Sequence, residues 1–335
     1  MKPNIFVTRP LPGNHLERLA QIADVNVHEG GDPSPAELER GIAEADGVIT
    51  MLVNPMGRDM LSKGKKLKIV ANYAVGYDNI DVAAATELGI WVAHTPDVLT
   101  EATADMAWAL LLAVSRRIAE GDRLVREGKF DGWKPDLLLG HQVYGKTLGI
   151  IGMGRIGQAA ARRAAGFGMR VLYSGRRPLD PVLANELRAE YVKLERLLRE
   201  SDYVSLHAPF SEANRHLIGA EQLRIMKSDA ILINTARGPL VDERALADAL
   251  KQRTIAGAGL DVFEREPLVE PLLVQCGNAV LAPHTGSATR ETRGEMAGLC
   301  VDAVIAALQG EIPRTALNPE AGASGRKSWQ KGMNL

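Results

Sequence analysis

Residues Leu148 to Gly157, LGIIGMGRIG, join an apolar run to Gly152, Gly154 and Gly157 in G-x-G-x-x-G spacing. The pattern predicts a buried strand, a tight turn and a helix that begins under a dinucleotide pyrophosphate. The three glycines act differently. Gly152 permits the turn, Gly154 removes a Cβ that would block phosphate, and Gly157 lets the helix sit close on the strand. The amino end of that helix offers unpaired N–H groups and a positive dipole end to an anion.

The flanks support this reading. QAAARRAAGFGM is alanine-rich and broken by Gly166 and Gly168, which predicts a helix and its stop. The short β-type run Arg170 to Ser174 follows, ending about 20 residues past Gly152, where a carboxylate normally holds the adenosine ribose when NAD is preferred. Here the sequence is Ser174-Gly175-Arg176-Arg177. Two guanidiniums without a carboxylate suit bidentate contacts to a 2′-phosphate, which favours NADP(H) with NAD(H) as a second cofactor. The alternative is an ordinary solvated Arg-Arg-Pro turn.

A chain of 335 residues, 46% hydrophobic and 24% charged, has room for two ordinary domains. Its formal charge of -1 offers no electrostatic footprint for nucleic acid or an anionic membrane. Cys276 and Cys300 fit neither a disulfide framework nor a cysteine-rich metal site, no cysteine-histidine metal spacing occurs, and both thiols read as buried and reduced. The start, MKPNIFVTRP, lacks a secretory h-region, so a cytoplasmic location is expected. The apolar stretch Met106 to Val114 is too short to span a bilayer.

Strand and helix signals alternate through the first hundred residues: NIFVT, a helix from Gly13, ADVNVHE, a helix after Ser34, GVITML, LKIVANY and IWVAHT. This predicts an α/β fold with a parallel sheet. Ser34-Pro35-Ala36-Glu37 is a capping box with proline at the first helical position. One long amphipathic helix is expected from about Glu101 to Arg126, burying Ala107, Leu110, Leu111 and Val114, with Trp108 in the core. Six further strand candidates follow: TLGIIG, RVLYS, YVSLHAP, AILINTA, GAGLDVF and AVLAPHT. Their near-continuous apolar runs fit parallel strands covered on both faces. Helix resumes from Ala288, and pattern is lost after Asn318.

Arg237 in NTARGPLVDE, Glu266 in DVFEREP and His284 in APHTGS stand at or just past the carboxyl ends of late strands, where open α/β sheets bind ligands. An arginine, a carboxylate and a histidine suit reduction of a 2-oxo acid. The guanidinium grips the substrate carboxylate and polarises the carbonyl. His284 gives a proton to the oxygen as hydride reaches carbon, and Glu266 orients the imidazole and favours its protonated form. The bland alternatives are a strand-end ion pair for Arg237, a surface carboxylate for Glu266 and a capped strand-end histidine for His284. His15, His28, His141 and His216 read as surface residues. His207, ending SLHAP, is either a cofactor contact or a satisfied structural histidine.

These residues lie in segments that together resemble the D-isomer-specific 2-hydroxyacid dehydrogenases, over residues 1 to 318: VGYDNID from Val75 to Asp81, GKTLGIIGMGRIG from Gly145, NTARG from Asn234, LDVFEREP from Leu260 and APHTGS from Ala282. The resemblance implies two doubly wound parallel-sheet domains, a Rossmann cofactor domain inserted into a flavodoxin-like substrate domain. Residues 1–98 and 288–318 would form the substrate-binding domain, 99–287 the dinucleotide-binding domain and 319–335 a disordered tail. It implies Arg237, Glu266 and His284 as the catalytic set. Cofactor contacts would come from Thr103, Gly154, Arg155, Ile156, Ser174, Arg176, Arg177, His207, Thr235, Arg237, Asp261, His284 and Gly286. Substrate contacts would come from Leu52, the Val75 and Gly76 backbone, Trp133, Arg237 and His284, with no metal. Cleft closure would exclude water.

DGWKPDLLLG and the Arg176-Arg177 turn are similar to the glyoxylate and hydroxypyruvate reductase branch. In that branch a tryptophan at the position of Trp133 reaches into the other subunit's active site, which implies a homodimer; a plain structural tryptophan at a dimer contact is the alternative. Glyoxylate would give glycolate, and hydroxypyruvate D-glycerate. The other readings are a D-lactate or broad 2-ketoacid reductase and a dinucleotide-sensing corepressor that shares the fold. Phosphite dehydrogenases carry a lysine where this chain has Val75, and formate dehydrogenases lack the glutamate partner of the histidine.

Overall fold

The structure is a computed structural model, and it describes residues 2–322. The chain divides into two compact units, one formed by Met1–Leu99 with the chain from Ser287 onward, the other by Thr100–Gly286.

In the first unit, β1 (Asn4–Val7), β2 (Asp24–Val27), β3 (Gly47–Thr50), β4 (Ile69–Asn72) and β5 (Trp91–Ala93) form a parallel sheet in the order β2-β1-β3-β4-β5, the flavodoxin-like order. All four residues of β3 and of β4 are buried, as parallel strands covered on both faces require. Alternate side chains sort to opposite faces. Ile5, Val7, Ile49, Ile69 and Ala71 join Val301 and Val304 of the helix Arg290–Leu308, whereas Phe6, Val48, Val70 and Val92 join Leu38 and Ile42 of the helix Pro35–Glu44. Each large aliphatic side chain buried this way contributes about 1.5–3 kcal/mol. The capping box is present: Ser34 Oγ accepts from Glu37 N, and the Ser34 N–H donates to Glu37 Oε2 at 2.9 Å.

In the second unit, β6 (Thr147–Ile151), β7 (Arg170–Ser174), β8 (Ala189–Tyr191), β9 (Tyr203–Leu206), β10 (Ile231–Asn234), β11 (Gly257–Leu260) and β12 (Ala279–Leu281) are parallel, in the order β12-β11-β10-β9-β6-β7-β8. This is the doubly wound dinucleotide-binding order with one strand added at an edge. The order reverses between β6 and β9, so the crevice beyond their carboxyl ends is the topological switch point.

Two expectations need correction, and one strand, β8, was not among the candidates. The helix expected over Glu101–Arg126 is two helices, Thr100–Ser115 and Ile118–Arg126, separated by Arg117 at φ 53°. The Ser115 carbonyl accepts the His141 N–H at 2.8 Å, and this incoming segment takes an acceptor that a continuing helix would need. β8 escaped notice because Ala-Glu-Tyr is short, polar at its centre and paired only with β7 at the edge. The pattern does not end at Asn318 either: Ala321 is fully buried in the first unit's core, and of the expected disordered tail residues 323–335 lie outside the described residues. Trp108 is core, as read; its Nε1–H donates to Ala160 O at 3.0 Å and its ring stacks on Phe167.

Asn318 locks the carboxyl-terminal segment to β5. Its Oδ1 accepts the Val92 N–H at 2.7 Å, and its Nδ2 donates to Ile90 O and Thr86 Oγ1. Asn318→Ala leaves these buried groups unpaired and should lower stability in urea denaturation by about 3 kcal/mol; a loss under about 1 kcal/mol would contradict the lock.

Candidate active site

The second unit builds the glycine loop as the spacing demands. Gly152 follows β6 at φ 94°, and a Cβ there would lie 2.5 Å from Ala208 N. A Cβ on Gly157 would come 2.3 Å from Gly152 O, so the helix Arg155–Ala164 can sit this close only on glycine. Gly154 is the N-cap residue, has no side-chain cap and has open space where its Cβ would be. The amino end of the helix, with Arg155 and Ile156 in its first turn and no acidic residue there, therefore keeps N–H donors for an anion.

At the end of β7, Ser174 O accepts the Gly152 N–H at 2.9 Å, which ties the two loops together. Arg176 and Arg177 follow, both exposed, with no carboxylate between Ser174 and Leu179. Deeper in the crevice, Thr235 Oγ1 and His207 Nδ1 are buried without a partner within the protein, at the carboxyl ends of β10 and β9. The other ring nitrogen, His207 Nε2, meets Ser205 Oγ at 2.9 Å, and burial pushes the His207 pKa down to about 4, so the ring is neutral. Two orphaned polar atoms beside an open glycine cradle fit a dinucleotide, since buried polar groups seldom go unpaired.

The three chemistry-bearing residues come from adjacent strand ends of the same sheet. His284 Nδ1 and Glu266 Oε2 are 2.7 Å apart, and Glu266 Oε1 accepts the Phe263 N–H at 2.9 Å. Burial acts to raise the Glu266 pKa, but the His284 hydrogen bond and charge, the Phe263 N–H and the Arg237 charge together hold it below its ordinary value. The pair leaves His284 Nε2 as the nitrogen for a substrate. Arg237 follows β10, where Asn234 shapes the turn: its Nδ2 donates to Arg237 O at 2.9 Å and its Oδ1 accepts the Ala236 N–H at 3.0 Å. The sequence reading overlooked Asn234, although an amide ending an apolar strand directly before a charged loop marks a turn builder.

His284 itself lies in the left-handed region at φ 54°, a conformation a non-glycine residue keeps only when its surroundings impose it. Asp261, just past β11, imposes it. Its carbonyl accepts the His284 N–H at 2.8 Å, while Oδ1 and Oδ2 accept the N–H groups of Thr285 and Gly286, each at 2.7 Å. Burial pushes the Asp261 carboxyl up, and these donors pull it partly back. Asp261, expected as a cofactor contact, gives both carboxylate oxygens to the backbone of the histidine loop. Thr103 lies beside Gly286, where an added Cβ would come within 3.4 Å of Thr103 Cγ2.

In the first unit, Leu52 and the Val75–Gly76 turn follow β3 and β4. Three asparagines missed in the sequence hold these loops. Asn72 Nδ2 donates to Gly76 O at 2.8 Å, Asn79 Nδ2 to Asn54 O at 3.0 Å, and Asn54 Oδ1 accepts from Thr8 Oγ1 at 2.7 Å and from Met51 N at 2.9 Å. His94 Nδ1 bonds Val75 O at 2.9 Å. Trp133 is 82% exposed in the second unit. Cys300 is buried, whereas Cys276, expected to be buried, is only partly so. Among the described residues no group of three or more His, Cys, Asp or Glu could hold a metal, and no helix is long and apolar enough to cross a membrane.

The sheet order, the glycine loop and the orphaned polar atoms beside it define a dinucleotide-binding protein. The family model for D-isomer specific 2-hydroxyacid dehydrogenase, NAD binding domain, matches residues 108–286. A glyoxylate reductase of Korarchaeum cryptofilum (strain OPF8) is 51% identical over 324 residues, 96% of this chain and 97% of that protein. Among solved structures, the TT0316 protein from Thermus thermophilus superposes with a TM-score of 0.89 at 46% identity, covering 94% of this chain and 99% of that one. The NADPH-dependent glyoxylate/hydroxypyruvate reductase of Sinorhizobium meliloti, in complex with NADP and malonate, has a TM-score of 0.84 at 33% identity, covering 96% and 98%. The chain belongs to the D-isomer-specific 2-hydroxyacid dehydrogenase family, with a nicotinamide dinucleotide as cofactor.

The depressed Glu266 pKa has a consequence for stability. The contribution of its ionised form is complete above the ordinary value of 4.5 and is lost as pH falls through the lower folded value. The wild-type protein should therefore melt above Glu266→Gln at neutral pH, with the gap closing in acid below about pH 4.5. A gap independent of pH would mean that the carboxylate charge plays no part.

Proposed function

We propose that the protein reduces glyoxylate to glycolate, and hydroxypyruvate to D-glycerate, with NADPH preferred over NADH. The 2.7 Å contact between His284 and Glu266, at strand ends beside the dinucleotide crevice, carries this reading. Relatives named glyoxylate reductase, about half identical over nearly the whole chain, support the substrate.

The reduced nicotinamide supplies the hydride. Arg237 binds the substrate carboxylate through its planar fork and draws electron density from the adjacent carbonyl. As charge grows on the carbonyl oxygen, His284 donates the Nε2 proton to it, and Glu266 stabilises the imidazolium beforehand and fixes the ring. In the first unit, the Val75 and Gly76 backbone is the proposed cradle for the substrate carboxylate, with Leu52 limiting its size. Thr103, Gly154, Arg155, Ile156, Ser174, His207, Thr235 and Gly286 are the proposed cofactor contacts. The exposed Arg176 and Arg177, with no carboxylate beside them, are the proposed 2′-phosphate site. Ile118, Val125, Phe130, Trp133 and Leu139 expose apolar surface on one stretch of chain, which supports a homodimer assembled there.

Glyoxylate and hydroxypyruvate should oxidise NADPH rapidly, and His284→Ala should cut turnover by about 100-fold or more with little change in NADPH affinity. Turnover retained in that variant would remove His284 as the acid. Replacing Arg176 and Arg177 with neutral residues should raise KM for NADPH far more than for NADH, and equal losses would contradict the phosphate role. Trp133→Ala should weaken the dimer in sedimentation equilibrium; an unchanged assembly would place the interface elsewhere.

A further inference from the structure

We infer that Glu243 is a positioning residue for the acid pair, acting through the backbone of the loop that carries Glu266. This rests on the catalytic reading of Glu266 and His284 given above. Glu243 opens the helix Glu243–Lys251, six residues after Arg237. It is 6% exposed. Both carboxylate oxygens accept backbone N–H groups of one loop, Oε1 from Glu264 and Oε2 from Glu270 at 3.2 Å. These two anchors bracket Glu266, two residues before it and four after.

The clamp is reciprocal. Glu264 Oε1 accepts the Glu243 N–H at 2.9 Å, and Glu264 Oε2 meets His216 Nε2 at 2.9 Å. His216, expected to be a plain surface residue, is thereby joined to the network, and its own N–H donates to Pro239 O at 2.8 Å. The segment from Arg237 to Glu243 also lies directly on the loop: a Cβ on Gly238 would fall 1.9 Å from the Phe263 carbonyl carbon. Phe263 is the residue whose N–H bonds Glu266 Oε1. Glu243 thus fastens the strand end that presents Arg237 to the loop that presents Glu266.

The chemistry requires a carboxylate here. Two N–H donors converge on one side chain, and a carboxylate is acceptor-only, whereas a glutamine would turn its amide NH2, a donor, toward one of the N–H groups. Burial pushes the Glu243 pKa up, and the neighbouring Glu264 and Glu270 charges act in the same direction against the two N–H bonds. Arg244 and Asp242 are the other charged groups nearby, at 3.8 Å from Glu270 and 3.9 Å from His216 respectively. A buried acid whose two oxygens both accept backbone N–H groups serves those donors.

The test is the pH dependence of kcat/KM for glyoxylate reduction in wild type, Glu243→Gln and Glu266→Gln. The pH at which activity falls is a shape parameter that a reduced folded fraction does not move. Glu266→Gln, which removes the carboxylate from the imidazolium, should shift the fall to lower pH by about 1 unit or more. Glu243→Gln should shift it in the same direction by roughly half as much, with KM for NADPH unchanged. A shift in Glu266→Gln with none in Glu243→Gln would overturn the positioning role alone, whereas no shift in Glu266→Gln would overturn the catalytic reading beneath it. If Glu243→Gln does not fold, Glu264→Gln takes its place: a shift to lower pH supports the clamp, and a wild-type profile overturns it.

Discussion

The carboxylate of Asp261 is the constraint on which the chemistry-bearing end of the second unit depends. It reaches from the end of β11 to the N–H groups of Thr285 and Gly286, while its backbone carbonyl takes that of His284. Those acceptors hold the left-handed turn at His284 together with the Ala282 carbonyl, which takes the same His284 N–H at 3.1 Å. The residue is 1% exposed, and the two N–H donors, the His284 charge and the Thr285 hydroxyl offset the cost of burying its carboxylate. The same device recurs on the neighbouring loop, where Glu243 holds the backbone of Glu264 and Glu270. Two buried acids that accept backbone N–H groups thus fix the two loops whose side chains meet as an acid–imidazole pair.

The opposite demand is met at the dinucleotide loop, where the sequence keeps side chains away. Glycines at 152 and 157 admit a turn and a helix approach that any Cβ would obstruct, and Gly154 leaves the amino end of the helix open. Between the loop and the acid pair lie Thr235 and His207, each with a buried polar atom that the protein does not satisfy. Such atoms are costly in an isolated fold and economical in one that pairs them with a ligand. One sheet therefore carries both halves of the reaction at the carboxyl ends of its strands.

Much of this was legible in the sequence because it rests on local pattern. Among the described residues, strand-like runs marked eleven of the twelve strands, the glycine spacing located the dinucleotide loop, and polar residues just past strand ends singled out Arg237, Glu266 and His284. What escaped was set by long-range contact. The break at Arg117 depends on the His141 N–H arriving at Ser115 O. Ala321 is core only because the chain returns to the first unit's sheet. The roles of Asp261, Glu243 and the Asn54–Asn72–Asn79 group depend on which backbone donors and acceptors the fold delivers to them. Nothing in residue type or spacing reports that.

In the proposed reaction the imidazole of His284, held by Glu266, delivers the proton as hydride arrives. The most direct test is a single-turnover comparison of the hydride-transfer step in light and heavy water, using enzyme preloaded with NADPH and mixed with glyoxylate. A proton donated by His284 should make the step slower in heavy water for the wild type, with that sensitivity lost in His284→Ala together with a collapsed rate. An equal solvent effect in both proteins would mean that the proton comes from another donor, and would contradict the role given to the pair.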